Sequence, residues 1–218
     1  MIYTAVYGGS DELKPLPNGL RGICYTDDFG LAGIGWDVRL EPLYHLGHPR
    51  LRAKFWKAWP EVACPDAEVT VWVDASMAPT PVFDTIYDEL GADDAVFFPG
   101  GVRDCIYDEV IAARTTRNHI YADQPLEAQG DFYRALGHPE HWGLFAAGCL
   151  LRRRGPRTNA LSANWWREIT RWSVEDQVSL PFVVHCQLSL RWHTFAFPMY
   201  APEQPWFTIH AHALDNPV

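Results

Sequence analysis

Paired cysteines are missing from this chain. Its five cysteines, Cys24, Cys64, Cys105, Cys149 and Cys186, are odd in number, widely spaced and without a CxxC pair, which argues against a disulfide framework and against a cysteine zinc cluster. They read as reduced core thiols. Long apolar runs are missing too: no stretch approaches the roughly 18 apolar residues that span a bilayer, and the first residues have neither a charged n-region nor a long apolar h-region. The expectation is a cytoplasmic protein with no membrane insertion. Basic residues are scarce, 18 against 27 acidic ones for a formal charge of −9, so nucleic acid and anionic membranes would repel the protein as a whole and any polyanion site must be local. Internal repeats, low-complexity tracts and long linkers are absent as well. With 218 residues, 48% of them hydrophobic, one well-buried core in a single domain is expected.

Aromatic residues are abundant, with ten Trp, nine Tyr and eleven Phe; they either fill a core or line a groove that stacks sugars or bases. Short runs rich in β-formers occur at Ile2–Tyr7, Gly22–Thr26, Glu68–Asp74, Ala95–Pro99 and Leu144–Arg152. Helical spacing or helix-start signals occupy Pro49–Trp59, Pro81–Leu90, Asp104–Arg117, Pro125–Leu136, Ala160–Trp172 and the segment from Val174 on. This alternation predicts an α/β domain, a mostly parallel sheet flanked by helices. Residues 198–218, dense in Pro, His and aromatics without periodicity, read as an irregular tail that packs over the site.

In open α/β sheets the ligand lies beyond the carboxyl ends of the strands. The ends here are polar: Tyr7-Gly8-Gly9-Ser10, Thr26-Asp27-Asp28, Asp74-Ala75-Ser76 and Arg152-Arg153-Arg154. Asp74 suits a divalent cation bridging a diphosphate, because Mg²⁺ or Mn²⁺ needs only one or two protein carboxylates; as an alternative it caps the following turn. Arg50, Lys54 and Lys57 stand at i, i+4 and i+7 on one helical face, either a cationic face over phosphates or a solvated one. Gly148, among small residues, allows a ligand or a second backbone to approach. The loop Arg152–Arg157 could pair with phosphates or face solvent. Ser173 and Asp176 have the spacing of a helix N-cap with a reciprocal partner, while Glu175, Asp176 and Gln177 also supply a base and partners for sugar hydroxyls. His210 and His212 form an HxH pair whose rings share one face in an extended segment, as metal ligands require.

The order of these segments resembles the landmarks of GT-A glycosyltransferases: Val71-Trp-Val-Asp74-Ala-Ser76, then Ala147-Gly-Cys-Leu-Leu151, then Asp176-Gln177, then a late His. More specifically, His48-Pro-Arg50, Ala53-Lys54, Arg103-Asp-Cys-Ile-Tyr-Asp-Glu109, Gln129 with Tyr133, and Ser173 to Pro181 are similar to the glycosyltransferase-like domain family found in bacteria and in plant proteins linked to cell-wall polysaccharides. The resemblance runs from residue 1 to about residue 190. It implies a Rossmann-like GT-A domain, a nucleotide-sugar donor, commonly a UDP-sugar, and Mn²⁺ or Mg²⁺. The usual metal motif is Asp-x-Asp; Ser76 stands at its second position, so Asp74 would need His212, His210 or water beside it.

The reading that follows is a glycosyltransferase. Asp74 holds the metal or diphosphate with Ser76 and a late His, and Arg50 and Lys54 neutralise phosphates. Tyr7, Gly8 and Asp27 belong to the loops that hold the nucleoside, Gly148 lies beside the donor, and Asp176 with Gln177 faces the transferred sugar. The acceptor is a glycan or small molecule. Alternatives are a hydroxymethylated base in DNA, supported by Arg152–Arg157 alone, a non-catalytic sugar- or nucleotide-binding domain, and a metal-dependent hydrolase built on the histidine pair.

Overall fold

Runs of β-branched and aromatic residues without polar interruption form strands buried on both faces. β1 (Ile2–Val6) and β2 (Gly22–Thr26) are buried at every position, and β4 (Val69–Val73), β6 (Ala95–Pro99) and β7 (Phe145–Arg153) at nearly every one, the pattern of strands covered on both sides. The computed structural model describes residues 1–210. It joins these strands with edge strands β3 (Trp36–Leu40) and β8 (Trp192–Thr194) into a seven-stranded sheet of order β3-β2-β1-β4-β7-β6-β8. Neighbours pair in parallel except at β7, which runs against both β4 and β6. The chain is thus an α/β single domain with a mostly parallel central sheet, as the alternating sequence pattern predicts. A separate antiparallel ribbon joins β5 (Met77–Pro79) to β9 (Phe207–Ile209), a strand within the segment expected to be irregular.

Side chains alternate across a strand, so Val71 and Val73 enter one apolar layer and Trp72 the other. The Trp72 layer is packed by α1 (Pro49–Ala58), α3 (Ile106–Thr116), α6 (Pro156–Arg171) and α7 (Asp176–Cys186). The Val71 layer is closed by 3₁₀ turns over Phe83–Leu90 and by Trp206 and Phe207. Short helices α2 (Pro60–Ala63) and α4 (Asn118–Tyr121) extend α1 and α3, and α5 (Leu126–Ala135) packs against α3. Most of the aromatic excess serves this core, as in the Tyr25–Trp56 stack with ring centroids 3.6 Å apart.

Three local readings are corrected. Arg152 and Arg153 end β7, and α6 starts at Pro156, so the basic stretch is not a loop. Because β7 is antiparallel, its end also lies at the opposite edge of the sheet from the ends of β1, β2 and β4. The Arg152 side chain is 1% exposed and donates to Tyr3 Oη at 2.5 Å and to the Lys57 and Ala58 carbonyls at 2.5 and 3.3 Å. A cation placed on the last carbonyls of α1 caps that helix and complements its dipole. Arg153 pairs with Glu68, and Arg157 with Asp94. Second, Ser173 is not the cap of α7: its hydroxyl donates to buried Gln129, and the cap is Glu175, whose carboxylate accepts from the Gln177 N–H. Third, four of the five thiols are buried as expected, while Cys186 is exposed.

Candidate active site

A cleft of about 500 Å³ opens beyond the carboxyl ends of β1 and β4. Its floor is the end of β4 with Trp72 and Asp74, and one wall is the α1 face carrying Arg50, Lys54 and Lys57. Ala147 and Gly148 of β7 lie beside the floor, the Glu175–Gln177 turn and Arg117 form the facing wall, and Tyr200 stands at the rim. The i, i+4, i+7 spacing therefore does bring three cations into one cleft. The reading of a solvated face fails at Lys57, whose side chain is 3% exposed.

Lys57 is the centre of the floor. Its ammonium lies 2.6 Å from Asp176 Oδ2 and 3.4 Å from Asp74 Oδ1, and Lys54 reaches the same Asp176 oxygen at 2.5 Å. The Trp72 indole N–H donates to Asp74 Oδ1 at 2.7 Å. Asp74 is not the cap of its turn, which is closed by the Met77 N–H donating to the Asp74 carbonyl. The other carboxylate oxygen, Oδ2, faces Gly148, where an added Cβ would sit 3.3 Å from it and 2.9 Å from Met199 Cε. The absence of a side chain at 148 keeps that oxygen open. Pairing between β6 and β7 jumps from Phe97↔Leu150 to Phe98↔Ala146, so the strand bulges at Gly148, a device common beside active sites.

Burial raises the Asp176 carboxyl, but the ammonium groups of Lys54 and Lys57 outweigh it and hold it well below the ordinary carboxylate value. Burial lowers Lys57, and its two carboxylate neighbours more than restore it, so it stays charged. Lys54 ends below its ordinary value, because burial and repulsion from Lys57 exceed the attraction of Asp176. Glu175, 2% exposed, is raised by burial, with Arg117 opposing.

The facing wall is braced by Glu109, which is fully buried and accepts from Arg103 at 2.6 Å, from Arg117 and from the Gln177 amide at 3.1 Å. Arg117 also lies 3.2 Å from Glu175. The stretch Arg103–Glu109 thus orients the groups of the α7 turn. Behind it, Gln129, Tyr133, Glu168 and Ser173 form a buried hydrogen-bonded chain.

At the other end of the cleft Tyr7 is held by the Trp56 indole, at 2.7 Å, and donates to the Glu41 carbonyl at 2.5 Å. Gly8 has φ +65°, and a Cβ there would meet Pro49 at 3.0 Å, so the turn lets α1 start close against β1. Asp27 does not line the cleft. It accepts from the Gly8 N–H and pairs with Arg52, each at 3.0 Å, tying the two loops together.

The metal set is not assembled by the described residues. Ser76 is buried, and its carbonyl accepts from the His210 N–H at 2.9 Å; the His210 ring is exposed and does not line the cleft. His212 lies outside the described residues. Among the described residues what remains is one open oxygen on an aspartate already paired with an ammonium, which alone does not fit a divalent cation. The described His/Cys/Asp/Glu group with metal-like spacing is Cys105, Asp108 and His141, outside the cleft lining.

Of the residues the sequence singles out, Tyr7, Arg50, Lys54, Asp74, Gly148, Asp176 and Gln177 line the cleft, while Gly8, Asp27, Ser76 and His210 do not. Lys57 stands with Arg50 and Lys54 on the face expected over phosphates, and Glu175 stands with Asp176 and Gln177 in the turn expected to supply a base; both line the cleft. Arg117 and Tyr200 carried no signal.

No protein-family model matches the chain, and no curated protein matches it. Among solved structures, mouse xyloside xylosyltransferase 1 in its apo form is similar with a TM-score of 0.46 and 9% identity, over 89% of this chain and 84% of that one. The apo structure of the bifunctional glycosyltransferase WbbM has the same score and identity, over 89% of this chain and 38% of that one. No helix among the described residues is long and apolar enough to cross a membrane.

Proposed function

We propose that the chain transfers a glycosyl group from a nucleotide-sugar of the uridine diphosphate class to a hydroxyl of a glycan or small molecule. The observation that carries this reading is the convergence of Lys54, Lys57, Asp74 and Asp176 in one cleft at the carboxyl ends of β1 and β4. Such a cleft gives a diphosphate its counter-charges and leaves the sugar against carboxylates. The nucleoside lies toward Tyr7 and the turn at Gly8, and the diphosphate lies along Arg50, Lys54 and Lys57.

In the transfer, the acceptor oxygen bonds to the anomeric carbon, the bond from that carbon to the diphosphate oxygen breaks, and the nucleoside diphosphate leaves with the electron pair. The hydroxyl proton must go to a base. Glu175 lines the cleft and is raised by burial, while the Asp176 carboxylate is engaged by two ammonium groups, so Glu175 is the proton acceptor in this reading. Asp176 stays ionised and, through its bonds to Lys54 and Lys57, positions the cations beside the leaving group. The arginine stretch that supported a DNA acceptor is spent on structural contacts, so a neutral acceptor is the reading kept.

The test is a panel of nucleotide-sugars in a thermal-shift assay, because a ligand that binds the native state raises the melting temperature by mass action. A shift with at least one member is expected. No shift with any nucleotide or nucleotide-sugar, with or without Mn²⁺, would sink the donor reading.

A further inference from the structure

We infer that the donor's diphosphate is neutralised by the two lysines of α1 and not by a divalent cation held on Asp74. This rests on the donor reading above and goes against the metal that the Asp74-Ala75-Ser76 sequence suggests.

Three observations carry it. Asp74 offers little to a cation: its Oδ1 accepts from Trp72 at 2.7 Å and lies 3.4 Å from the Lys57 ammonium. A dication on Oδ2 would have to sit close to a buried positive charge that has nowhere to go. Second, the partner position of the usual carboxylate pair is Ser76, which is buried, is not part of the cleft lining, and uses its backbone carbonyl to accept the His210 N–H. Third, the work of a metal, placing fixed positive charge between two phosphates, can be done by what is already there. Lys54 and Lys57 are one helical turn apart on α1, and Arg50 is a further turn toward the cleft mouth. An ammonium has three N–H donors; Lys54 spends one on Asp176, and its side chain is 19% exposed on the cleft wall. Burial and the repulsion of Lys57 leave Lys54 below its ordinary pKa, so a second anion beside it relieves a cost already present in the free protein. Asp176 holds the two ammonium groups together before any ligand arrives, which reduces the reorganisation that binding requires.

The experiment is isothermal titration of the full chain with UDP, GDP, ADP and CDP, in EDTA and again with Mn²⁺. At least one diphosphate should bind in EDTA, with a Kd that Mn²⁺ changes by less than about threefold. Lys54→Gln should weaken that metal-free binding by more than about tenfold, and Lys54→Arg should restore most of it. Binding that appears only with Mn²⁺ would overturn the inference and leave the donor reading standing, with a ligand such as His212 then supplied from beyond the described residues. Equal metal-free binding by Lys54→Gln and wild type would also overturn it. Failure of all four diphosphates in both buffers would remove the inference and the donor reading together. The wild-type comparison of the two buffers needs no variant, so a poorly folding mutant leaves the test intact.

Discussion

Replacing Asp176 by asparagine keeps the shape of the α7 turn and removes the one charge that two ammonium groups share. In the native protein Asp176 Oδ2 lies 2.5 Å from Lys54 and 2.6 Å from Lys57, and its side chain is 7% exposed. After the change Lys54 can turn toward water, but Lys57 is 3% exposed and keeps only Asp74 at 3.4 Å. Removing one partner of a buried pair costs about 3–5 kcal/mol. Since Asp74 remains, a loss of about 3 kcal/mol is expected, within the roughly 5–15 kcal/mol total of a domain, so the variant should fold. Were Asp176 merely an acidic residue in the first turn of a helix, its interaction with the dipole would be worth about 0.3–1 kcal/mol. Urea denaturation separates these, provided the slope m is unchanged. The pH dependence has a defined sign. The native carboxyl titrates below its ordinary value of 3.8, so its contribution is present above that pH and is lost as pH falls toward the native pKa. The stability gap between wild type and Asp176→Asn should therefore narrow below 3.8. Adding Lys57→Met removes the orphaned ammonium and should recover at least about 1 kcal/mol. A loss under about 1 kcal/mol in the single variant, or no recovery in the double, would refute the description of the cleft floor as a buried charge cluster.

Other expectations follow from single contacts. Arg152→Leu removes the donor of the Ala58 carbonyl and leaves the Lys57 carbonyl only the Tyr3 hydroxyl at 3.3 Å, and should cost about 2–4 kcal/mol in urea unfolding while weakening diphosphate binding through α1. Neutral behaviour would mean that water caps the helix equally well. Gly148→Ala brings a Cβ to 2.9 Å from Met199 Cε and 3.3 Å from Asp74 Oδ2. Since the methionine can move, the stability loss should stay near 1–2 kcal/mol, while donor binding measured by titration falls further; unchanged binding would place the donor elsewhere. His138 is held down to about 4, by burial first and then by His185. The unfolded chain takes up that proton first, so stability should decline from pH 6.5 toward 4 by up to roughly 3 kcal/mol. His138→Gln should flatten that part of the profile, and an equal slope in the variant would contradict the assignment.

The fold was legible where burial on both faces left an unbroken hydrophobic signal. Ile2–Val6, Gly22–Thr26, Val69–Val73 and Ala95–Pro99 could be read directly. Edge strand Trp36–Leu40 could not, because it is largely exposed and Asp37 and Arg39 break its apolar run, and Trp192–Thr194 has only three residues. Strand direction is likewise absent from local sequence: β7 reads like its parallel neighbours, so Arg152 was placed at the site edge when it belongs to the opposite edge. The Ser173 cap was a sound local reading overridden by a tertiary partner, Gln129. Helical spacing gathered Arg50, Lys54 and Lys57, but that Lys57 is buried between two carboxylates depends on a segment more than 100 residues away, since Lys54 and Asp176 are separated by 122 positions.

The central claim is that this cleft activates a nucleotide-sugar, and release of nucleoside diphosphate tests it most directly. Wild type, Asp176→Asn and Glu175→Gln would be incubated with nucleotide-sugars and simple glycan acceptors, and free diphosphate would be followed by chromatography. The account expects release from at least one donor by the wild type. Glu175→Gln should bind that donor within about tenfold of wild type and lose about 10²–10⁴ in rate, the usual worth of general acid–base catalysis, and Asp176→Asn, which frees the two lysines from their shared partner, should also release diphosphate more slowly. A wild type that binds nucleotide-sugars yet never releases diphosphate, or variants that release it at the wild-type rate, would contradict the account.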